Sequence, residues 1–150
     1  MSQSLSRVYV HITFSTKNHH PFIDDTIKVS LFEYIGGICK GLDSNPVKIG
    51  GHRDHVHILC LLSRKTAQMK LLEEIKKQSS KWIKTKGKIY SDFYWQDGYG
   101  IFSINPSETD VVVAYINNQQ EHHKKITFKD EFRAFLKKYK VDYDERYVWD

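Results

Sequence analysis

His55-Val56-His57 is the feature of this chain whose residue types and spacing most directly suggest chemistry. In an extended strand, residues i and i+2 face the same side, with Cα atoms about 6.6 Å apart. Two imidazoles placed in this way can hold one metal ion, while Val56 and the apolar residues after it face a core. Two histidines on a half-exposed strand with no metal are equally compatible with so short a motif.

Tyr115 and Gln119 form a second pair, four residues apart in the segment Tyr-Ile-Asn-Asn-Gln. On a helix, residues at this spacing lie on one face, so a phenol and an amide carbonyl oxygen would point the same way. His122 continues the stripe. The alternative is a packed tyrosine beside a solvated glutamine, which is a common arrangement because tyrosine is often partly buried.

A basic run between Arg64 and Lys88 contains nine Lys and Arg residues against two acids. We expect a helix here with Met69, Leu72, Ile75, Trp82 and Ile83 on its inward face. Five lysines then form one outward stripe: Lys70, Lys77, Lys81, Lys84 and Lys88. A one-sided basic stripe favours contact with a phosphate backbone, although a solvated helix face is the usual reason for such lysines.

Two glycines lie among aromatic residues between Trp95 and Ser103, at Gly98 and Gly100. Glycine permits a tight bend or a close backbone approach at such positions. Exposed aromatic residues there could stack on unpaired bases. A glycine-kinked strand that buries its aromatic residues in the core is an equally good interpretation.

The composition describes a basic chain of 150 residues, 40% of them hydrophobic, with a formal net charge of +5. This length and apolar content predict one folded domain over residues 1–150 and argue against disorder. Cys39 and Cys60 lie in apolar surroundings, which indicates buried thiols in a reducing compartment rather than a disulfide framework. Neither a secretory signal nor a membrane-spanning run is predicted, so we expect a cytoplasmic protein with no membrane partner.

Hydrophobic periodicity predicts the elements that must position these residues. The order is strand, helix, strand, strand, helix, strand and then two further helices. The predicted strands are Arg7–Phe14, Pro46–Gly50, His55–Leu62 and Phe93–Ile104. The first two predicted helices run from Asp24 or Asp25 to Gly41 and from Thr66 to about Lys84. The third has a cap at Ser107 and runs through Val111–Gln120, and the fourth starts at Thr127. A βαββαβ order is typical of a ferredoxin-like α+β antiparallel sheet with helices on one face, to which the C-terminal helices are added.

Four motifs, taken together and in this order, resemble the single-tyrosine HUH transposases of the insertion-sequence 200/605 type, especially their REP-associated relatives. They are Asp54-His-Val-His57, Trp95-Gln-Asp-Gly-Tyr-Gly100 with Phe102-Ser103, Tyr115-Ile-Asn-Asn-Gln119 and His122-His123. In the name HUH, two histidines flank one hydrophobic residue, here Val56. The segments Val10–Thr16 and Asp144–Trp149 resemble the ends of that family, so the likeness covers nearly the whole chain.

The resemblance implies a metal-dependent transposase that cuts single-stranded DNA beside hairpins. In that family a tyrosine attacks the phosphate to give a 5′-phosphotyrosine, and a later 3′-OH attack rejoins the strands. Carried over by position, Tyr115 is the nucleophile, and His55, His57 and Gln119 are the metal ligands. The implied cofactor is Mg²⁺ or Mn²⁺; two imidazoles and an amide oxygen suit Mn²⁺ and would also accept Zn²⁺ or Ni²⁺.

The resemblance also implies a homodimer in which the tyrosine helix of one chain serves the His pair of its partner. Pro106, in the loop before that helix, could redirect the chain in this way. Three other functions compete with this one. The first is an HUH nickase of the replication-initiator or relaxase kind, with Tyr9 or Tyr34 as its early tyrosine. The second is a non-catalytic nucleic-acid-binding module. The third is a small structural zinc protein, which is disfavoured because Cys39 and Cys60 lack the paired spacing of zinc ligands.

Overall fold

A four-stranded antiparallel sheet organises residues 2–150, the part of the chain that the computed structural model describes. The strands are β1 (Tyr9–Ser15), β2 (Asn45–His52), β3 (His55–Leu61) and β4 (Gly100–Ile104), in the spatial order β2-β3-β1-β4. Helix α1 (Lys28–Gly41) follows β1 and α2 (Gln68–Lys84) follows β3, and three helices follow β4: α3 (Thr109–Asn117), α4 (Gln119–His122) and α5 (Phe128–Lys138). The predicted ferredoxin-like α+β fold is confirmed.

The alternation of side chains along β1 and β3 gives the sheet one apolar and one partly polar face. The apolar face packs against α1 and α2, and its buried strand residues are Val10, Ile12, Phe14, Val56, Ile58 and Cys60. Burying one such aliphatic side chain contributes about 1.5–3 kcal/mol. The other face carries the buried polar residues His11, Thr13, His55 and His57 and lies beneath α3, α4 and α5. The C-terminal helices therefore close the face that would otherwise expose the histidines.

Two adjacent glycines bring the hairpin between β2 and β3 close to α3. A Cβ on Gly50 would lie 2.7 Å from Cγ2 of Ile116, so only glycine lets α3 approach the strand this closely. Gly51 has a φ of +155°, and a Cβ there would collide with the carbonyl oxygen of His55. The hairpin thus depends on glycine both for its turn, at Gly51, and for the close packing of α3 against Gly50.

Three local predictions are wrong. The fourth strand begins at Gly100 rather than Phe93, and Trp95 makes only an isolated bridge with Thr16. Met69 is 70% exposed, because the core face of α2 runs through Leu71, Leu72, Ile75, Ser79 and Ile83 and leaves Met69 on its flank. Ser107 does not cap α3; its backbone N–H donates to the side chain of Asn105 at 3.0 Å and a short 3-10 turn precedes the helix.

The predictions for Thr127 and for the two cysteines hold. Thr127 caps α5, since its side chain accepts a hydrogen bond from the backbone N–H of Asp130 at 3.2 Å. Cys39 and Cys60 are free and buried. Among residues 2–150, no helix combines the length and the apolar character needed to cross a membrane.

Candidate active site

The His pair lies on β3, an inner strand of the sheet, with β1 on one side and β2 on the other. His55 faces Ser15 and His57 faces Thr13 across the β1 pairing. Both histidines are completely buried, at 0% exposure. The interpretation of two incidental histidines on a half-exposed strand is therefore wrong, and each buried ring nitrogen needs a partner.

Each imidazole of the pair is oriented by a partner at its Nδ1 atom. Nδ1 of His55 lies 2.8 Å from Oδ1 of Asp54, and Nδ1 of His57 lies 2.8 Å from Nε2 of His11. Partners of this kind hold the ring orientation and the tautomer of metal-binding histidines. The Nε2 atoms of the pair are thereby left facing the C-terminal helices.

Tyr115 and Gln119 reach the His pair from two helices rather than one. The predicted helix Val111–Gln120 is interrupted at one residue: α3 ends at Asn117, and Asn118, with φ −98° and ψ 16°, separates it from α4. The chain resumes at once in α4, and Oε1 of Gln119 lies 2.9 Å from Nε2 of His55.

The tyrosine and the glutamine nevertheless converge on the same cluster. Gln119 is buried whereas its neighbour Gln120 is exposed, so the i, i+4 spacing selects the residue that meets the His pair. Tyr115 is half-buried, and its hydroxyl donates to Glu131 and lies 3.1 Å from Nε2 of His122.

Two residues of the cluster, His123 and Glu131, were not predicted as site residues. Oε1 of Glu131 lies 2.8 Å from Nε2 of His57, and its Oε2 lies 3.2 Å from Nε2 of His123. Together with His55 and His57, these two residues form a group of four side chains whose possible ligand atoms all lie within 4.8 Å of one another. Glu131 could have been found in the sequence, because it is a charged residue on the apolar face of α5, between Phe128 and Phe132.

The protonation of the cluster follows from burial and from the Glu131 carboxylate. Burial lowers the pKa of His57 to about 4, outweighing the opposite effect of Glu131. Burial alone would raise the pKa of Glu131, but hydrogen bonds from His123 and His57 hold it well below its usual range. Burial lowers the pKa of His123, and the bond to Glu131 more than reverses this. Burial and the charge of Glu131 raise the pKa of Tyr115 well above its ordinary value.

The donor set fits a divalent cation. Burial would raise the pKa of Asp54, but the hydrogen bond from His55 holds it below its usual value, so Asp54 is an ionised acceptor. The His55 N–H therefore sits on Nδ1, and its Nε2 presents a lone pair to the carbonyl oxygen of Gln119. Two acceptors at 2.9 Å repel each other unless a proton or a metal ion lies between them. Imidazole nitrogen and amide oxygen are ligands that such an ion accepts.

The lysine stripe lies on the outer side of α2, which packs on the apolar face of the sheet, opposite the histidines. Lys70 and Lys77 each form an ion pair with Glu74, at 3.1 and 3.2 Å. Nζ of Lys84 lies 4.2 Å above the ring centroid of Tyr94. Lys81 and Lys88 are exposed, and Lys88 lies beyond the end of the helix, in a short 3-10 turn. The structure therefore separates the stripe from the His cluster by the thickness of the sheet.

The segment after Tyr94 has a structural role. Trp95 is buried and its Nε1 donates to Oγ of Ser79 at 2.9 Å. The side chain of Gln96 accepts from the backbone N–H of Ser15 at 2.8 Å. Nζ of Lys76 donates to the carbonyl oxygens of residues 96, 97 and 98 at 2.7–2.9 Å. Trp95 is thus a core residue and presents no free face to a base.

Neither early tyrosine can serve the His pair. Tyr34 stacks on Trp82, with ring centroids 4.8 Å apart, on the opposite side of the sheet. Tyr9 is six residues along β1 from Ser15, the partner of His55, a separation of about 20 Å in a strand. Neither Tyr9 nor Tyr34 can therefore act as the nucleophile that the relaxase alternative requires.

The sheet with His-Val-His on an inner strand, faced by a tyrosine and a glutamine from C-terminal helices, defines the HUH class of DNA-processing proteins. Sequence comparison then gives the family. The chain belongs to the family described as IS200-like transposases, whose sequence profile matches residues 4–119. This confirms the resemblance that the motifs carry.

Solved structures show the same fold. A chain described as a transposase from Deinococcus radiodurans R1 is 17% identical, with a TM-score of 0.62 over 79% of this chain and 98% of the other. A REP-associated tyrosine transposase bound to a REP hairpin is also 17% identical, with a TM-score of 0.59 over 84% of this chain and 76% of the other. No curated protein sequence matches at a significant level.

Proposed function

We propose that this chain, as one domain over residues 1–150, is a metal-dependent transposase that cleaves and rejoins single-stranded DNA next to hairpins through a 5′-phosphotyrosine intermediate. The observation that supports it most is the meeting of Tyr115 and Gln119 with the buried His pair. Family membership supports DNA strand transfer as the reaction.

The metal ligands proposed are His55, His57 and Gln119, which offer two imidazole nitrogens and one amide oxygen. A divalent ion, Mg²⁺ or Mn²⁺, would supply polarisation of the scissile phosphate there. Three protein ligands leave positions open for phosphate oxygens. No nucleotide cofactor is needed, because a phosphotyrosine linkage keeps the energy of the phosphodiester that was broken.

Tyr115 is the proposed nucleophile. Its phenolic oxygen forms a bond to phosphorus as the bond from phosphorus to the 3′ oxygen breaks, and the 3′ oxygen leaves as a hydroxyl after taking up a proton. The tyrosine must lose its own proton, and Glu131 and His122 both contact its hydroxyl. Of the two, His122 is the group placed to accept that proton, because the pKa of Glu131 is held well below its usual range.

The site of the proposal is complete within one chain. Gln119 contacts the His55 of its own chain, and Tyr115 reaches the same cluster through Glu131. We propose that each site is built within one chain; the alternative is the predicted homodimer, in which the tyrosine helix serves the partner's His pair. In the proposed arrangement, a homodimer of this chain carries two independent sites.

Hairpin-bearing single-stranded DNA is the proposed partner, in the cytoplasm where such DNA is found. The similar REP-associated transposase is bound to a REP hairpin, and this chain carries a net charge of +5. The stripe Lys70, Lys77, Lys81, Lys84 and Lys88 is proposed to contact the DNA backbone. Because the stripe lies across the sheet from the histidines, a DNA that uses both must pass round an edge of the sheet.

The test is formation of a covalent complex. The chain is incubated with Mn²⁺ and a set of single-stranded DNAs that contain hairpins, and the products are separated under denaturing conditions. The proposal expects a protein–DNA band that is lost on chelation of the metal. If these hairpins bind yet never yield a band at any Mn²⁺ concentration, the chain is a binding module instead.

A further inference from the structure

His123 and Glu131 lie at the His pair but beyond residue 119, where the match to the family ends. We infer that both side chains are ligands of the metal ion, so that five groups hold it rather than the three named above. The inference rests on the proposed metal site and extends it. It assigns the C-terminal segment of this chain a direct part in the metal centre.

The orientation of His123 supports a ligand role. Its Nδ1 lies 2.9 Å from the carbonyl oxygen of Ile126, which can only accept a hydrogen bond, so the N–H sits on Nδ1. Its Nε2 then points to Oε1 of Gln119 at 3.0 Å and to Oε2 of Glu131 at 3.2 Å. His55 is built in the same way, with its N–H held by Asp54 and its Nε2 facing inward.

The position of Glu131 supports the same role. Its Oε1 lies 2.8 Å from Nε2 of His57 and 3.5 Å from Nε2 of His55. Two atoms bonded to one ion at about 2.1 Å, with an angle near 90°, lie about 3 Å apart. The spacing of the carboxylate from the ring nitrogens is therefore the spacing of neighbouring ligands.

Charge gives the same result. Glu131 is 2% exposed, and a buried carboxylate needs a compensating cation close by. Its nearest partner is His57, whose Nε2 lies 2.8 Å from Oε1. A divalent ion between them compensates the carboxylate, and an anionic oxygen ligand strengthens the binding of Mn²⁺ or Mg²⁺ beyond what neutral ligands provide.

The alternative is that His123 and Glu131 do not bind the metal. A protonated His123 would then donate a hydrogen bond to Glu131 when no metal ion is bound, and this bond would compete with metal binding. The two roles predict opposite effects of Glu131→Gln. Removal of a ligand weakens metal binding, whereas removal of a competing partner leaves it unchanged or strengthens it.

Binding of Mn²⁺ alone to the full chain is measured by calorimetry and by the EPR signal of the free ion. We expect Glu131→Gln and His123→Gln each to weaken binding at least about tenfold. The matched control is Asp130→Asn, which removes one exposed negative charge from the same helix and should leave the affinity unchanged. An affinity of Glu131→Gln equal to or above that of the wild type overturns the inference for Glu131.

A second measurement needs no variant and therefore does not depend on whether a variant folds. Pulsed EPR of the Mn²⁺-loaded wild type counts the coupled imidazole nitrogens, which should number three; two would overturn the role of His123. His57→Ala separates this inference from the proposed function. If His57→Ala loses Mn²⁺ while Glu131→Gln and His123→Gln keep it, only this inference fails; if the wild type binds no Mn²⁺, the proposed metal site fails as well.

Discussion

The hydroxyl of Tyr115 donates a hydrogen bond to the carboxylate of Glu131, and the other oxygen of the same carboxylate contacts His57 at 2.8 Å. One side chain from α5 therefore joins the proposed nucleophile to the His pair. The contact directs a half-buried phenol toward the proposed metal ligands instead of into solvent. Burial and the charge of Glu131 together raise the pKa of Tyr115, so the protein holds this hydroxyl protonated.

Replacement of Tyr115 by phenylalanine removes only the hydroxyl, so we expect the covalent adduct to disappear while hairpin binding and folding stay close to the wild type. The adduct is measured on denaturing gels and the binding by titration of labelled DNA. Tyr147→Phe is the matched control, because Tyr147 is 63% exposed and is not one of the proposed site residues. An adduct that persists in Tyr115→Phe would assign the nucleophile to another residue.

Mixed chains test whether each site is built by one chain. We combine His55→Ala chains with Tyr115→Phe chains, each inactive alone, under conditions in which subunit exchange is demonstrated. Because Gln119 and Tyr115 meet the His pair of their own chain, every site in the mixture carries a lesion, and we expect no cleavage. Sites shared between partners would instead restore about a quarter of the wild-type activity, since half of the dimers are mixed and each has one intact site.

The lysine stripe should act through DNA phosphates. Replacing Lys77, Lys81 and Lys84 by glutamine should weaken binding about equally for all DNA sequences. It should also reduce the slope of log affinity against log salt concentration, by roughly 0.7–0.9 for each phosphate contact that is lost. A control with the same charge change uses the scattered exposed residues Lys40, Lys65 and Lys137. If both triple variants show the wild-type slope, the stripe is a solvated helix face.

Acid should destabilise the metal-free protein through His57. Its pKa is about 4 in the folded chain and near 6.5 when unfolded, so between these values the unfolded state binds a proton that the folded state does not. The free energy of unfolding should fall as the pH drops from 6.5 to 4, by roughly 3 kcal/mol from this residue. Urea unfolding in EDTA across this range measures the loss, and His57→Gln should show a smaller one. An equal loss in the variant would place the effect elsewhere in the cluster.

Local spacing was enough to predict a large part of this protein. Alternation along Arg7–Phe14 and His55–Leu62 predicts two strands with one apolar face, and the interval of two places His55 and His57 on the other. The interval of four likewise brings Tyr115 and Gln119 to one side, and this survives the break at Asn118 because α4 begins at the next residue. These relationships hold because the direction of a side chain within a strand or a helical turn depends on its immediate neighbours in the chain.

Only the tertiary structure decided which of these side chains meet. His57 and Glu131 are 74 positions apart, and nothing local to either indicates that α5 crosses the polar face of the sheet. The packing of α2 on the apolar face equally decided that the lysine stripe lies away from the histidines. Sequence spacing fixes the direction of a side chain, whereas contact between distant elements depends on how their buried faces pack together. The cluster of His55, His57, His123 and Glu131 is formed by that packing.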